Sequence, residues 1–316
     1  MSDRRKLVLL FFAVLGFVVL YLGVGLDHAI VAYALPRRLS KVLAIVLTGG
    51  AIGFSTTVFQ TVTANRILTP SIMGLDSLYL LNQTLVLFFL GSTSILLVNS
   101  QLNFFFTVMT MVLFSGLLFR LLFRGEKREV YFLLLVGVIA GTLFQSVSSF
   151  LQMVLDPNEF LVVQNSMFAS FNNVKTNLLP WSSLLVGGGV LYTLRYVHVL
   201  DVLALGREQS LNLGVDYEHV VLRLLLVVSV LVASVTALVG PITFLGLLVA
   251  NLAREMLRSF KHLHLLLVSS LLGVVTLVGG QFLVERVLNL ASPVSVIINL
   301  VGGLYFVFLL LRGSYR

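Results

Sequence analysis

Ten long apolar runs, separated by short polar segments, constrain the fold of this 316-residue chain more than any other feature. A helix needs about 20 mostly apolar residues to cross the hydrocarbon core of a bilayer. The chain is 58% hydrophobic and 11% charged, whereas a soluble domain carries about 25% charged residues. We therefore predict one all-α polytopic membrane domain over residues 1–316. Its ten or so transmembrane helices are predicted at residues 7–26, 42–60, 75–97, 102–123, 130–152, 178–200, 220–240, 242–258, 263–284 and 294–311.

The basic residues orient these spans. If the N-terminus is cytoplasmic, 16 of the 21 Lys and Arg lie in inner loops and at inner span ends. This asymmetry follows the positive-inside rule, and ten spans then place both termini in the cytoplasm. It also explains the net charge of +8 without a nucleic-acid partner. The first apolar run is too long for a signal-peptide core and lacks a small-residue cleavage site, so an uncleaved first span is expected.

A polar island, Asp201–Val215, interrupts the apolar sequence on the predicted cytoplasmic side. Its pattern is typical of a helix of one or two turns with a glycine near each end, Gly206 and Gly214. The apolar residues that could form an edge of this helix are Leu205, Leu211 and Leu213. A plain connection between two spans needs only a tight turn, so the island predicts a surface offered to a soluble partner.

The residues that an enzyme or a coupled carrier needs are not evident in the sequence. Cysteine is absent, which rules out disulfides and thiolate sites. All 13 acidic residues fall in loops or near span ends, which counts against a stand-alone secondary transporter but leaves that class open. His262-x-His264 is more typical of a solvated basic loop than of a metal site. Because no hydrolase motif or Walker A sequence occurs, we expect no catalytic residue, metal or bound cofactor, and ATP use by a separate subunit.

Glycines and neutral polar residues stand inside the predicted spans. The pairs Gly49-x-x-x-Gly53 and Gly137-x-x-x-Gly141 and the run Gly187–Gly189 predict close helix packing, which small residues allow in lipid. Neutral polar groups at such positions usually hydrogen-bond between helices, and a wet translocation path is the sharper alternative. The best candidates for lining a path are Ser55, Gln60, Gln145 and Ser149.

Three segments carry a family resemblance. The first begins at Arg38-Leu-Ser-Lys41 and continues with Gly49, Gln60, Asn65, Pro70 and Gly74. The second comprises Leu205-Gly206, Gly214, Arg223, Gly240-Pro-Ile-Thr-Phe-Leu-Gly246 and Arg254, and the third comprises Pro293-Val-Ser, Gly302 and Phe306. Together they resemble the FecCD or BtuC-like family, the permeases of iron-siderophore and cobalamin ABC importers. Departures from the family pattern are Ser40, Lys41, Arg66 in place of proline, Ala250-Asn251 in place of Pro-His, Ser295 and Leu304.

This resemblance covers nearly the whole chain and implies a type II ABC importer permease-like fold. It implies pairing with a second permease subunit around a central path, a heterodimer being favoured over a homodimer. Two cytoplasmic ABC ATPase subunits would drive transport, and an extracytoplasmic binding protein would deliver the cargo. The implied cargo is a ferric siderophore, with cobalamin or haem as alternatives, and the implied location is the cytoplasmic membrane of a bacterium.

The resemblance also implies roles for individual residues. It makes the island an ATPase-coupling helix, with the residues Leu205, Gly206, Arg207, Glu208, Leu211 and Gly214. It implies that a binding protein docks on the outer side at Arg38, Lys41 and Arg286. The plainer explanation is that these basic side chains anchor the protein at the membrane interface. At the inner end of the second span, Asn65 and Ile67 become part of a cytoplasmic gate.

Overall fold

The chain folds into helices joined by short segments. The computed structural model describes residues 3–24, 31–122, 130–257, 259–289 and 292–313, and no strand occurs among them. The predicted all-α class is therefore confirmed. The α-helices are α1 Asp3–Gly23, α2 Val31–Val62, α3 Leu75–Leu90, α4 Ile95–Val98, α5 Ser100–Leu122, α6 Val130–Val154, α7 Pro157–Ser166, α8 Leu179–Leu194, α9 Val197–Leu203, α10 Arg207–Asn212, α11 Tyr217–Val239, α12 Leu245–Met256, α13 His262–Arg286 and α14 Val294–Gly313. Short 3-10 helices occupy Pro70–Met73 and Thr176–Leu178.

Most of these helices match predicted membrane spans. Within the described ranges, six helices are long and apolar enough to cross a membrane, namely α1, α2, α5, α6, α11 and α13. A seventh crossing results if α8 and α9, which meet at a bend of 63°, count as one span. Helices α3 and α14 are apolar but shorter. The predicted span ends at 25–26, 123 and 258, and both chain ends, lie outside the described residues.

The predicted eighth span, residues 242–258, is helical only over Leu245–Met256. Gly240 ends α11 with φ 102°, a backbone conformation that favours glycine because it has no Cβ. Pro241 follows and has no amide hydrogen with which to continue the helix. The chain then stays irregular as far as Phe244. The reversal predicted at Gly240-Pro241 is present, but the helix after it starts later than the apolar pattern indicated.

Helix α2 lies at the centre of the bundle. It packs against α13, α11, α12 and α8, while α1 lies on the outside and contacts mainly α13. A Cβ on Gly49 would lie 2.6 Å from the carbonyl carbon of Gly273, so only glycine allows α2 and α13 to approach this closely. The hydroxyl oxygens of Thr57 and Ser269 lie 2.9 Å apart at the same contact. Close backbone packing and hydrogen bonds of this kind hold helices together in lipid, where no hydrophobic effect does so.

The other glycine predictions have mixed outcomes. Close packing is confirmed for Gly137 and Gly141, which lie against the turn at Met73 and Gly74. A Cβ on Gly74 would lie 2.8 Å from the Cα of Gly141. In the run Gly187–Gly189, close packing is confirmed for Gly189, where a Cβ would lie 2.9 Å from Leu231 Cδ2. It is absent for Gly187 and Gly188, where a Cβ would have no described neighbour within 4 Å.

Candidate functional site

The polar island folds into the end of α9 and the short helix α10. Gly206 (φ 99°) and Gly214 (φ 80°) stand on either side of α10 in backbone that favours glycine. The buried Ser210 hydroxyl lies 2.7 Å from the Gly206 carbonyl oxygen and 3.1 Å from that of Val202. These contacts fix the turn that joins α9 to α10. The helix predicted between the two glycines is therefore present.

One edge of this island is apolar and open to solvent. Leu205, Leu211 and Leu213 are 59%, 47% and 62% exposed. A single exposed leucine is ordinary, but three on one short segment form a patch that a partner could cover. Glu208 is exposed beside them. We call these four residues the island surface.

The Arg207 side chain is 48% exposed and also contacts α11. Its guanidinium carbon lies 6.0 Å from the centre of the Tyr217 ring, and its Nη2 lies 3.7 Å from Glu218 Oε1. These contacts fasten α10 to α11. In the first turn of α11, His219 Nδ1 donates a hydrogen bond to Oδ2 of Asp216, the residue before the helix (2.8 Å). This bond lowers the pKa of the Asp216 carboxyl by stabilising its charged form. Arg207 thus positions the island, a role that the sequence did not indicate.

A polar cluster joins the end of α2 to α12. Gln60 Nε2 donates to the carbonyl oxygen of Arg66 (2.7 Å), and Asn251 Nδ2 donates to the same oxygen (3.1 Å). Gln60 Oε1 in turn accepts a hydrogen bond from Arg254 Nη1. Gln60 is only 1% exposed. In this conformation the predicted path residue Gln60 ties two helices together inside the subunit.

The two predicted gate residues lie in the turn after α2. Asn65 Oδ1 accepts a hydrogen bond from the backbone N–H of Ile67 (3.0 Å), which is the geometry of an Asx turn. Asn65 is exposed and Ile67 is 38% exposed. Between them stands Arg66, which lines a cavity of about 520 Å³ at this end of the bundle.

Asp201, the first residue of the island, holds the start of α13. Its Oδ1 accepts hydrogen bonds from the backbone N–H and from ring Nδ1 of His262, both at 2.7 Å. The Nε2 of the same ring lies 3.0 Å from Thr61 Oγ1 on α2. The prediction of a solvated histidine is therefore wrong for His262, which is 4% exposed because its ring has partners on both sides. One hydrogen-bonded chain thus joins the island, α13 and α2.

At the opposite end of the bundle, Lys41 and Glu285 form an ion pair. Lys41 Nζ lies 2.9 Å from Glu285 Oε1 and 2.9 Å from Asn172 Oδ1. The same carboxylate oxygen accepts hydrogen bonds from Tyr21 (2.9 Å) and Gln281 (2.7 Å). Lys41, predicted to dock a binding protein, therefore already has an internal partner.

Arg38 and Arg286 converge on the end of α1. Arg38 Nη1 donates to the carbonyl oxygens of Leu22 (2.8 Å) and Val24 (2.9 Å), and Arg286 Nη2 donates to that of Val24 (2.5 Å). The last carbonyls of a helix have no partner within it, and they carry the negative end of the helix dipole. This geometry explains both arginines without a partner protein, and their docking role stays a prediction.

Helix α6 carries a polar stripe on its exposed face. Thr142, Gln145, Ser146 and Ser149 recur at the spacing that puts residues on one face of a helix. The first three are exposed and Ser149 is partly exposed. The hydroxyls of Thr142 and Ser146 donate to carbonyl oxygens of their own helix, so the cost of facing hydrocarbon falls mainly on the amide of Gln145. The stripe is therefore suited to water or to another protein, and it contains the predicted path residues Gln145 and Ser149.

Two other polar residues, Ser55 and Asp76, have side-chain oxygens buried inside the bundle and do not lie on an exposed helix face. Ser55, also predicted to line a path, is fully buried and hydrogen-bonded to the carbonyl of Ile52 (3.2 Å). Asp76 lies in the first turn of α3, near a helix end as predicted, and its Oδ2 accepts a hydrogen bond from Thr243 (3.2 Å). Its Oδ1 is buried without a hydrogen-bond partner among the described residues. The sequence signal for this site is an acidic residue two positions after Gly74, at the start of an apolar run.

Known proteins resemble this chain over almost its full length. Residues 7–312 match the FecCD transport family. The petrobactin import system permease protein YclO of Bacillus subtilis (strain 168) is 52% identical over 314 residues, which cover 99% of this chain and 98% of that protein. The petrobactin import system permease protein FatC of Bacillus anthracis is 32% identical, with 87% of this chain and 78% of that protein covered.

The fold is shared with a solved structure, an inward-facing conformation of a metal-chelate type ABC transporter. The two superpose with a TM-score of 0.86 over 98% of this chain and 100% of that one, at 22% identity. The family match spans nearly the whole sequence, and a relative with half of its residues identical is matched from end to end. This chain therefore belongs to the FecCD transport family.

Proposed function

We propose that this chain is the transmembrane permease subunit of an ATP-driven importer for a ferric siderophore. The observation that carries the proposal is the 52% identity, over almost the full length of both chains, to a permease of a petrobactin import system. The relative at 32% identity is also a petrobactin import permease. A siderophore is therefore favoured over cobalamin or haem as the cargo.

In this proposal the chain crosses the cytoplasmic membrane of a bacterium ten times, with both termini inside. The six long helices and the bent pair α8–α9 supply seven crossings, and α3, α12 and α14 supply three more. The irregular segment before α12 is acceptable in a bilayer only where protein covers it. Its Ile242 is 4% exposed, and the backbone N–H of Phe244 donates to Asn299 Oδ1 (3.3 Å).

The polar stripe of α6 would face a second permease subunit across the translocation path. Gln145 is exposed on that stripe and has no side-chain hydrogen bond within the described part of the chain, so its amide is available to water, cargo or a partner. A diverged second permease is favoured over a second copy of this chain, because this chain departs from the family pattern at Ser40, Arg66 and Ser295.

The island surface would dock on an ABC ATPase, one for each permease subunit. Leu205 and Leu211 supply apolar contacts and Glu208 sets the polar register, while Gly206 and Gly214 let the chain turn into and out of α10. ATP would be used by these partner subunits, and no cofactor is proposed on this chain. Because α10 is fastened to its neighbours, a displacement of the ATPase would be transmitted to the bundle.

On the outer side, an extracytoplasmic binding protein would dock on the charges of Arg38, Lys41 and Arg286. Each of these side chains is held by a neighbour, so its position is fixed before the binding protein arrives. Charges of this kind steer association and fix orientation more than they add affinity.

The test is uptake by vesicles that contain this chain, a second permease and an ABC ATPase, with the binding protein outside. Leu211→Glu is expected to abolish ATPase retention and uptake, whereas Leu211→Met keeps both because it keeps the apolar side chain. Unchanged uptake with Leu211→Glu contradicts the coupling role. Uptake by this chain alone, without ATPase, would instead favour a stand-alone secondary transporter. Offering the binding protein ferric siderophores, cobalamin and haem in parallel identifies the cargo.

A further inference from the structure

A positively charged cavity opens beside the island surface. Its volume is about 520 Å³, and the ends of α2, α9 and α12 and the start of α13 form its wall. Arg66 and Arg254 both line it. The same wall includes Leu205 of the island surface and Phe260, which is 92% exposed.

Neither arginine forms an ion pair with any residue that the structure describes. Arg66 is exposed, whereas Arg254 is largely withdrawn from water and hydrogen-bonds the neutral amide oxygen of Gln60. Asp201 supplies the carboxylate on the described wall of the cavity, and its Oδ1 already accepts two hydrogen bonds from His262. The two guanidinium groups line the same cavity, so like charges share one wall.

Two guanidinium groups therefore face one carboxylate on the described wall, and its net charge is positive. A half-buried charge without a counter-ion is unfavourable, and a second charge of the same sign on the same wall adds to the penalty. Guanidinium groups bind carboxylates through paired hydrogen bonds, which suits two arginines on one wall. We infer that the cavity takes a carboxylate side chain of the ATPase subunit that docks on the island surface.

The position of the cavity selects the ATPase as the source of this carboxylate, and the inference thus rests on the proposed function. A partner that covers Leu205 also reaches the cavity, because Leu205 belongs to the island surface and to the cavity wall. An acidic lipid headgroup is less favoured, since the adjoining island is too polar to lie in lipid. Arg66 stands where the family pattern has a proline, so the second positive charge is a feature of this chain and not of the pattern.

The experiment compares Arg66→Glu, Arg66→Lys and the unchanged chain, each purified with the second permease and the ATPase. Arg66 is exposed, so its replacement leaves the bundle intact, and retention of the second permease reports the fold in each case. Arg66→Glu is expected to weaken ATPase retention by about tenfold or more, and Arg66→Lys by much less. Lys175→Glu, an exposed charge change on the outer side, serves as the matched control and is expected to leave retention unchanged.

Nanodiscs of phosphatidylcholine alone, or with phosphatidylglycerol added, separate the two sources of negative charge. Weaker retention with Arg66→Glu in both lipids supports the inference. Retention that depends on phosphatidylglycerol, and loses that dependence with Arg66→Glu, overturns it in favour of a lipid headgroup. Unchanged retention with Arg66→Glu, together with loss for Leu211→Glu, also overturns it and leaves the proposed function intact. If Leu211→Glu also leaves ATPase retention unchanged, both the inference and the proposed function are contradicted.

Discussion

Lys41 on α2 and Glu285 on α13 form an ion pair at the end of the bundle where α1 ends, with 2.9 Å between Nζ and Oε1. The same oxygen accepts hydrogen bonds from Tyr21 and Gln281. One carboxylate thus connects a peripheral helix to the two central ones. Lys41, whose charge suggested a contact with a partner protein, therefore already forms an ion pair within its own chain.

Replacing Glu285 by alanine is expected to lower thermal stability. Tyr21, Lys41 and Gln281 would lose a shared acceptor in a place with little access to water, and the expected cost is about 1–3 kcal/mol. Thermal unfolding in detergent measures the change. Asp156→Ala is the matched control, because this exposed carboxylate precedes α7 without a side-chain hydrogen bond to it. Equal unfolding temperatures for the two variants would contradict the structural role of Glu285.

Gly49→Ala and Gly50→Ala are expected to differ although they are neighbours. A Cβ at Gly49 meets the backbone of Gly273, whereas a Cβ at Gly50 meets no described atom within 4 Å. Forcing α2 and α13 apart is expected to cost about 1–3 kcal/mol. Gly50→Ala is expected to stay within about 0.5 kcal/mol of the unchanged protein. Unfolding temperatures in detergent test the pair, and a stable Gly49→Ala variant would show that the two helices can separate freely.

The sequence predicted what depends on local pattern. Apolar runs predicted the membrane class, and the island with a glycine near each end predicted α10. The glycine spacing found Gly49 and Gly137 but also selected Gly187, because spacing shows which residues share a helix face and not where a neighbouring helix lies. The late start of α12 was also not predictable from local sequence. The backbone N–H of Phe244, just before α12, bonds to Asn299, a residue far away in the chain.

The candidate sites were less predictable, because their side chains have distant partners. Lys41 and Glu285 are 244 positions apart, and Asp201 and His262 are 61 apart. Nothing in the local sequence of either pair indicates the other member. Charge counts therefore predict on which side of the membrane these residues lie, but not whether each faces a partner or its own chain.

Single cysteines on α6 are expected to react with a membrane-impermeant maleimide in the assembled importer. The chain has no cysteine, so each variant reports one position. Gln145→Cys and Ser149→Cys should be labelled because the polar stripe borders water in the proposed path. Leu113→Cys, on an apolar face of α5 and 59% exposed, should resist labelling because that face suits lipid. Equal labelling of α5 and α6 would contradict a path at the stripe.

Asp201→Ala is expected to reduce the cargo imported per ATP hydrolysed while ATP hydrolysis itself continues. The island surface would still dock, but the start of α13 would lose the acceptor for its first backbone N–H and for the ring of His262. Loss of a comparable helix cap costs about 1 kcal/mol, which leaves the bundle folded. The ratio of uptake to phosphate release in vesicles measures this coupling.

Two further variants show whether the effect comes from this contact. Asp201→Asn keeps a side-chain oxygen that can accept a hydrogen bond and should recover much of the ratio. Asp216→Ala removes an exposed acid near the island that also pairs with a histidine, His219, and should leave the ratio unchanged. A normal ratio for Asp201→Ala would show that the bond to His262 is structural only. A loss shared by Asp216→Ala would show that any charge change near the island disturbs docking.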